Sequence, residues 1–294
     1  MKNKISILFI FISFLSFAQN TALKKEILKI TKDKNATVAV SVLDFETNKS
    51  FDINGDQALP MLSVFKFHIA LAVLAQVDAE KFSLDQNVFI KKADLLENTW
   101  SPIRKKYPAG NIEMSLSELL KYTVAQSDNN GCDILLRMLG GTENVQKYFD
   151  DLQVNDFTIK ADEAKMHEGY GFMYWNTTTT NSANRLLKNF FEGKIVSKKS
   201  TDFLLKTLYE TTTGTTKIVA QLPKGTPVAH KTGSSGKDKT GLTVAENDIG
   251  IVTLPNGKHY AISVFASDSM ESEETNTRMI ADISKLVFDY FSKN

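Results

Sequence analysis

The sequence predicts an α+β fold in which helices flank a five-stranded antiparallel sheet, with an internal helical block between the strands. Three observations carry that expectation. Apolar β-branched runs near the start of the chain fold back on themselves, a second such pair lies near the end, and the stretch between them changes to helical periodicity.

Ala36 to Asp44 reads ATVAVSVLD, and Thr47-Asn48 turns the chain before Phe51-Asp52-Ile53, which makes a hairpin. Asp248 to Leu254 is another β-branched run. Pro255-Asn256-Gly257 turns it, and His259 to Ala266 returns. Thr226 to Thr232 supplies the fifth strand. The amphipathic segments Thr21 to Lys32 and Glu273 to Phe291 are placed to cover this sheet, the second with Ile280, Ile283, Leu286, Val287 and Tyr290 on one face. In the internal block, Phe65 to Val77 is almost continuously apolar, interrupted by Lys66 and His68, so it reads as a helix buried in a core. Leu116 to Val124 and Cys132 to Leu139 follow. Gly140-Gly141 stops the latter and Thr142 is placed to cap the next helix. Further helices begin at Asn181 or Ser182 and span Ser200 to Tyr209, and the threonine-rich Thr211 to Thr216 is the return crossing. The expected division is therefore an α/β part from residues 19–61 and 209–294, and an all-α part from residues 62–208.

Residues 1–18 stand apart. Lys2 and Lys4 precede an apolar run from Ile5 to Phe17, and Ser16 and Ala18 are small, which is the pattern of a secretory signal peptide cleaved after Ala18. The run falls short of the roughly 20 residues of a membrane span. A soluble, periplasmic or secreted protein is expected, with no membrane association after cleavage. Loss of this leader takes away two lysines and no acidic residue, which moves the formal net charge from +1 to −1. No Lys/Arg block supplies the cationic face that nucleic acid requires. The one cysteine, Cys132, excludes an internal disulfide and reads as a small buried apolar residue. No His/Asp/Cys cluster has zinc spacing, so neither metal nor cofactor is expected. His68 and His230 read as structural histidines, and the protein as a monomer.

The chemistry lies in an ordered set: Ser63-Val64-Phe65-Lys66, then Ser127-Asp128-Asn129, Glu163, and Lys231-Thr232-Gly233. A serine hydroxyl is a weak nucleophile and needs a neighbouring base. Lys66, three residues after Ser63 on an apolar helix, shares its face one turn along. A Ser63 N–H near the helix start belongs to the unpaired donors there and can face a developing oxyanion. Alone, each piece is weak: S-x-x-K recurs as Ser234-Ser235-Gly236-Lys237, and Ser-Asp-Asn is more often a helix cap or turn. Their order and company give the signal its specificity. Gly233 and Gly236 leave the edge of a strand open for close approach by a substrate, with Lys231, Thr232 and Ser234 aligned along it.

These motifs are the signature of class A β-lactamases and penicillin-binding proteins. Over essentially the whole chain after the leader, the sequence resembles a class A serine β-lactamase. The segments Pro60 to Leu71, Ser127 to Leu136, Ala161 to His167 and Val228 to Gly236 are most similar to the extended-spectrum, PER-type branch. The resemblance implies a β-lactamase/transpeptidase-like fold and hydrolysis of penicillins and cephalosporins, oxyimino-cephalosporins included, conferring β-lactam resistance. It further implies that Ser63 is the acylated nucleophile and Lys66 its partner. Ser127 passes a proton to the leaving lactam nitrogen, and Lys231 steadies Ser127 and attracts the substrate carboxylate. Asn129 holds the side-chain amide of the substrate, and Thr232 and Ser234 bind its carboxylate. Backbone N–H groups of Ser63 and Ser234 form the oxyanion hole. Glu163, in an Ω-loop at about residues 158–178, orients the hydrolytic water, and Trp100 stands at the cleft rim. Either Lys66 or Glu163 serves as the base for acylation.

Two departures from the family pattern stand out. Its Ω-loop usually runs Glu-x-x-Leu-Asn with proline after the glutamate; here it is Glu163-Ala164-Lys165-Met166-His167, with His167 where the water-holding asparagine belongs. That predicts an altered cleft floor. The usual strand arginine beyond Lys231-Thr232-Gly233 is also missing, Arg278 being the only arginine after it, so the cation facing the far side of the substrate carboxylate is open. Two other functions share part of this set. A D,D-peptidase has the same serine and lysines but lacks a deacylating carboxylate, and a covalent β-lactam sensor needs an anchor or partner segment. Glu163 and the cleavable leader argue against them.

Overall fold

The computed structural model describes residues 21–293; the signal peptide expected at residues 1–18 lies outside the described residues. Five strands form an antiparallel sheet in the spatial order Ser50–Ile53, Thr37–Asp44, His259–Ser269, Thr243–Thr253, Val228–Ser234. Both ends of the chain thus meet at its centre, where Thr37 pairs with Ser267 and Asp44 with Tyr260.

The alternation read from ATVAVSVLD sorts side chains onto two faces. Val38, Val40 and Val42 point to a core completed by Leu23 and Ile27 of the helix at residues 21–31 and by Ile280, Ile283 and Val287 of the helix Glu273–Lys293. Ala39, with Ala229, Ile249, Ile251, Ala261 and Phe265, faces the larger core of the helical block. The helix Phe65–Asp78 runs through that core, every residue from Phe65 to Leu74 being buried, Lys66 and His68 included. Truncating a fully buried leucine there, such as Leu71, costs about 2–5 kcal/mol.

Several elements differ in extent from the sequence reading, each for a local reason. The helix Asn129–Leu139 starts three residues before Cys132 because Asp128 is its N-cap, its carboxylate accepting from Gly131 N at 2.8 Å. It stops as expected at Gly140, in the left-handed conformation (φ 83°), with Gly141 N donating to Leu136 O. Gly141, not Thr142, then occupies the N-cap of the helix Thr142–Asp151, without a side-chain cap. The strand expected from Asp248 begins at Thr243: Glu246, Asn247 and Asp248 are polar yet buried, so the apolar pattern hides its first half. Residues 62–208 also carry a hairpin, Asn87–Ile90 with Ile112–Ser115, and short strands at Phe157–Thr158 and Thr177–Thr178, so that region is not purely helical. Cys132 is buried, and burial pushes its thiol well above the usual range.

Candidate active site

Three segments converge at the boundary between sheet and helical block. A 3-10 turn, Leu62–Val64, carries Ser63 into the buried helix. The preceding residue, Leu62, has φ 45°, and Ser127 has φ 58°; side chains rarely adopt either, and such strain is characteristic of functional sites. The edge strand Val228–Ser234 packs directly on the Ser63 turn. A Cβ on Gly233 would stand 2.4 Å from Met61 O and 3.1 Å from Ser63 N, so only glycine allows this approach. Asn247 Nδ2 fastens the same turn by donating to Pro60 O at 2.8 Å. Because Ser235 N pairs inward with Ala245 O, strand parity turns Ser234 N–H to the unpaired outer side, beside Ser63.

Lys66 Nζ lies 2.9 Å from Ser63 Oγ, 2.9 Å from Ser127 O, 2.8 Å from Glu163 Oε1, and also donates to Asn129 Oδ1. Glu163 Oε1 stands 3.4 Å from Ser63 Oγ. A buried amino group with four oxygen neighbours is well satisfied, as a polar group in a core must be. Lys231 Nζ donates to Ser127 Oγ at 2.9 Å and to Thr232 O at 2.8 Å. Burial, with the Lys66 and Lys217 charges nearby, holds its ammonium well below the usual lysine range, against the pull of Asp248 and Glu163. Ser63, Ser127, Asn129, Thr232, Ser234 and Trp100 line a cleft of about 260 Å³. Trp100 is 62% exposed at its rim, its indole N–H donating to Gln126 O at 2.9 Å.

Asp128 braces the Ser127 loop: burial raises its pKa, while its carboxylate accepts from Ser101 Oγ, Ile103 N and Gly131 N. Asp133 braces Glu163, accepting from Glu163 N at 2.7 Å and Ala164 N at 2.9 Å. Burial and the neighbouring Glu163 raise the Asp133 carboxyl to about 7.

His167, expected at the cleft floor, turns its ring onto the backbone beside it. The short helix Glu163–His167, capped by Asp162, brings its Nδ1 back onto Glu163 O at 2.7 Å, and its Nε2 lies 3.1 Å from Thr99 Oγ1. A carbonyl only accepts, so Nδ1 carries the proton and Nε2 accepts from Thr99. With both ring nitrogens engaged, His167 lines a 220 Å³ pocket together with Glu163, Asp133 and Asn130.

The cation left open by the sequence is present. Lys217 Nζ, from the crossing that precedes the edge strand, lies 2.9 Å from Ser234 Oγ and 2.5 Å from Glu246 Oε1. It lies in no motif, and its partner Glu246 lies in the half of the strand that the apolar pattern hides, so no local signal points to the pair.

A family model described as the β-lactamase enzyme family matches residues 22–291. The chain belongs to that β-lactamase family. The β-lactamase VEB-1 of Pseudomonas aeruginosa is 43% identical over 278 residues, 94% of this chain and 92% of the relative. The extended-spectrum β-lactamase PER-1 of Pseudomonas aeruginosa is 39% identical over 280 residues, 95% of this chain and 91% of the relative. The solved structure of the TLA-3 extended-spectrum β-lactamase superposes with a TM-score of 0.91 at 50% identity, covering 93% of this chain and 99% of that one. The protein is a class A serine β-lactamase similar to the PER-type enzymes, with the α+β fold of that class. No helix among the described residues is long and apolar enough to cross a membrane.

Proposed function

We propose that this β-lactamase is an exported, monomeric, extended-spectrum enzyme that hydrolyses penicillins and cephalosporins, oxyimino-cephalosporins included, through an acyl-serine intermediate, and so confers β-lactam resistance. One observation carries the hydrolytic reading: a carboxylate, Glu163, stands 3.4 Å from the Ser63 hydroxyl and shares Lys66 with it. That distance supports a base beside the point where the acyl ester forms.

Ser63 Oγ attacks the lactam carbonyl carbon as its proton leaves to Lys66 or Glu163. The oxyanion is held by the N–H groups of Ser63 and Ser234, each such donor contributing about 10²–10³ in rate. The carbon–nitrogen bond breaks as Ser127 Oγ gives its proton to the nitrogen, and Lys231, already donating to that oxygen, stabilises the alkoxide character left behind. The proton taken from Ser63 passes on to Ser127 Oγ, which restores that hydroxyl and frees the acceptor; a water then attacks the ester, losing its proton to Glu163, and Glu163 returns that proton to Ser63 Oγ as the ring-opened acid departs. Asn129 orients the acylamide side chain and Trp100 bounds it. Thr232, Ser234 and Lys217 take the ring carboxylate. His167 acts on the Glu163 backbone, not on the substrate.

The chain works without a metal or cofactor, and small β-lactams, not nucleic acid, are its ligands. The experiment is direct. A slowly hydrolysed β-lactam should add one ligand mass to the peptide carrying Ser63, Ser63→Ala should take up none, and a chelator should leave turnover unaltered. Acylation elsewhere, or chelator loss restored by zinc, would overturn the reading. Rapid cleavage of benzylpenicillin with negligible turnover of oxyimino-cephalosporins would remove the extended-spectrum part alone. Recovery from the periplasm with Met1 intact would refute export through the leader.

A further inference from the structure

The carboxylate end of the cleft holds a charge arrangement that hydrolysis itself does not require. Lys217 is almost wholly buried and ion-paired to Glu246, also buried, at 2.5 Å, and it donates to the carbonyl of Asn247 at 3.0 Å. The same Glu246 oxygen accepts the Ser234 hydroxyl proton at 2.7 Å. Glu246 therefore already occupies the two donors that a docking ring carboxylate needs. Glu273, exposed at the start of the carboxy-terminal helix, lines the same cleft. Two carboxylates thus share this end of the cleft with Lys217.

We propose that Glu246 is a specificity-determining positioning residue that, with Glu273, favours zwitterionic β-lactams over singly anionic ones. The favoured class carries a fixed cation on the substituent of the ring carbon next to the one bearing the carboxylate. A singly anionic substrate must share Lys217 and Ser234 with Glu246, and two carboxylates about one ammonium repel each other in a partly desolvated site. A quaternary ammonium beside the ring carboxylate offsets that repulsion. It has no N–H to place, so it needs only a nearby negative field, which the Glu273 carboxylate supplies. Glu246 acts through Lys217 and Ser234, so its signature is in substrate affinity and not in the acyl-transfer steps.

This inference rests on the β-lactamase reading, and the test separates the two. Two cephalosporins with one acyl side chain are compared, one with a neutral acetoxymethyl group and one with a quaternary ammonium methyl group on the ring. Their intrinsic reactivities differ, but that difference cancels between enzyme variants. Glu246→Gln keeps the shape and a hydrogen-bond acceptor while removing the charge. It should lower KM for the singly anionic compound about tenfold, which corresponds to about 1.4 kcal/mol, and lower KM for the zwitterion by about twofold or less. The kcat ratio between the two compounds should stay within about twofold. Glu273→Gln, at an exposed position, should raise KM for the zwitterion about threefold more than for its partner. Equal KM changes for both compounds in both variants, or a raised KM for the anionic compound in Glu246→Gln, would overturn the proposal. Should Glu246→Gln not fold, the Glu273→Gln result decides alone. Failure of the native enzyme to cleave either compound would instead remove the β-lactamase reading.

Discussion

Glu163→Gln tests the division between acylation and deacylation. The substitution keeps side-chain length and an oxygen for Lys66, which loses its anionic neighbour at 2.8 Å but retains Ser63 Oγ, Ser127 O and Asn129 Oδ1. The backbone of residue 163 is held independently, by Asp133 on its N–H and His167 on its carbonyl, so the loop should keep its course. What disappears is a base. Proton transfer by a placed side chain is worth about 10²–10⁴-fold, or about 3–5 kcal/mol on the barrier. With benzylpenicillin the variant should release one equivalent of product-forming absorbance in a burst and then turn over at least about a hundredfold more slowly. Intact-mass measurement should show the acyl-enzyme accumulating. The burst rate carries further information: if it is preserved, Lys66 takes the Ser63 proton, and if it falls by the same factor, Glu163 does. Turnover at the parent rate with no accumulated adduct would refute the assignment of Glu163.

Three further outcomes are expected. Lys217→Ala combined with Glu246→Ala, which removes the pair without stranding a buried charge, should raise KM for benzylpenicillin about tenfold or more with a smaller change in kcat, as read by steady-state kinetics. Gly233→Ala drives a methyl group into Met61 O at 2.4 Å and should depress acylation of Ser63 and lower stability by about 1–3 kcal/mol in urea unfolding. His68 is stacked on Phe157, and burial lowers its pKa to about 3, opposed by a hydrogen bond with the Val64 backbone. The unfolded chain protonates this histidine near pH 6.5 and the folded chain does not, so its contribution is complete above pH 6.5 and is lost as pH falls toward 3. Between pH 7.5 and 5 the parent should therefore lose about 2 kcal/mol more stability than His68→Phe, at about 1.4 kcal/mol per pH unit. Equal losses would show that His68 does not set acid sensitivity.

Much of the fold was legible because period and burial coincide. Val38, Val40 and Val42 alternate against their neighbours, and the unbroken apolar run after Lys66 marks a buried helix. Legibility fails where polar groups are buried by design. Glu246-Asn247-Asp248 pair with Lys217, the Ser63 turn and His230, partners that lie 18 to 187 residues away, so no local pattern announces them. Ser63, Lys66, Ser127, Asn129, Glu163, Lys231, Thr232 and Ser234 were named from motif order and stand together. His167 lies four positions after Glu163 on a helical turn, which folds its ring back onto the Glu163 carbonyl, a contact that motif spacing does not announce.

The pairing of Thr37–Asp44 with His259–Ser269 also bears on time. These strands are about 230 residues apart in sequence, and closing such a loop costs about 5 kcal/mol of chain entropy before any contact forms. The edge strand beside Ser63 is hydrogen-bonded through Thr243–Thr253 to His259–Ser269, so the oxyanion donors have no frame until nearly the whole chain has been synthesised. A nascent chain that still lacks these strands is therefore catalytically silent. The order is built into the topology: the late strands must be made before sheet and nucleophile can assemble, with folding slow on the scale set by its non-local contacts.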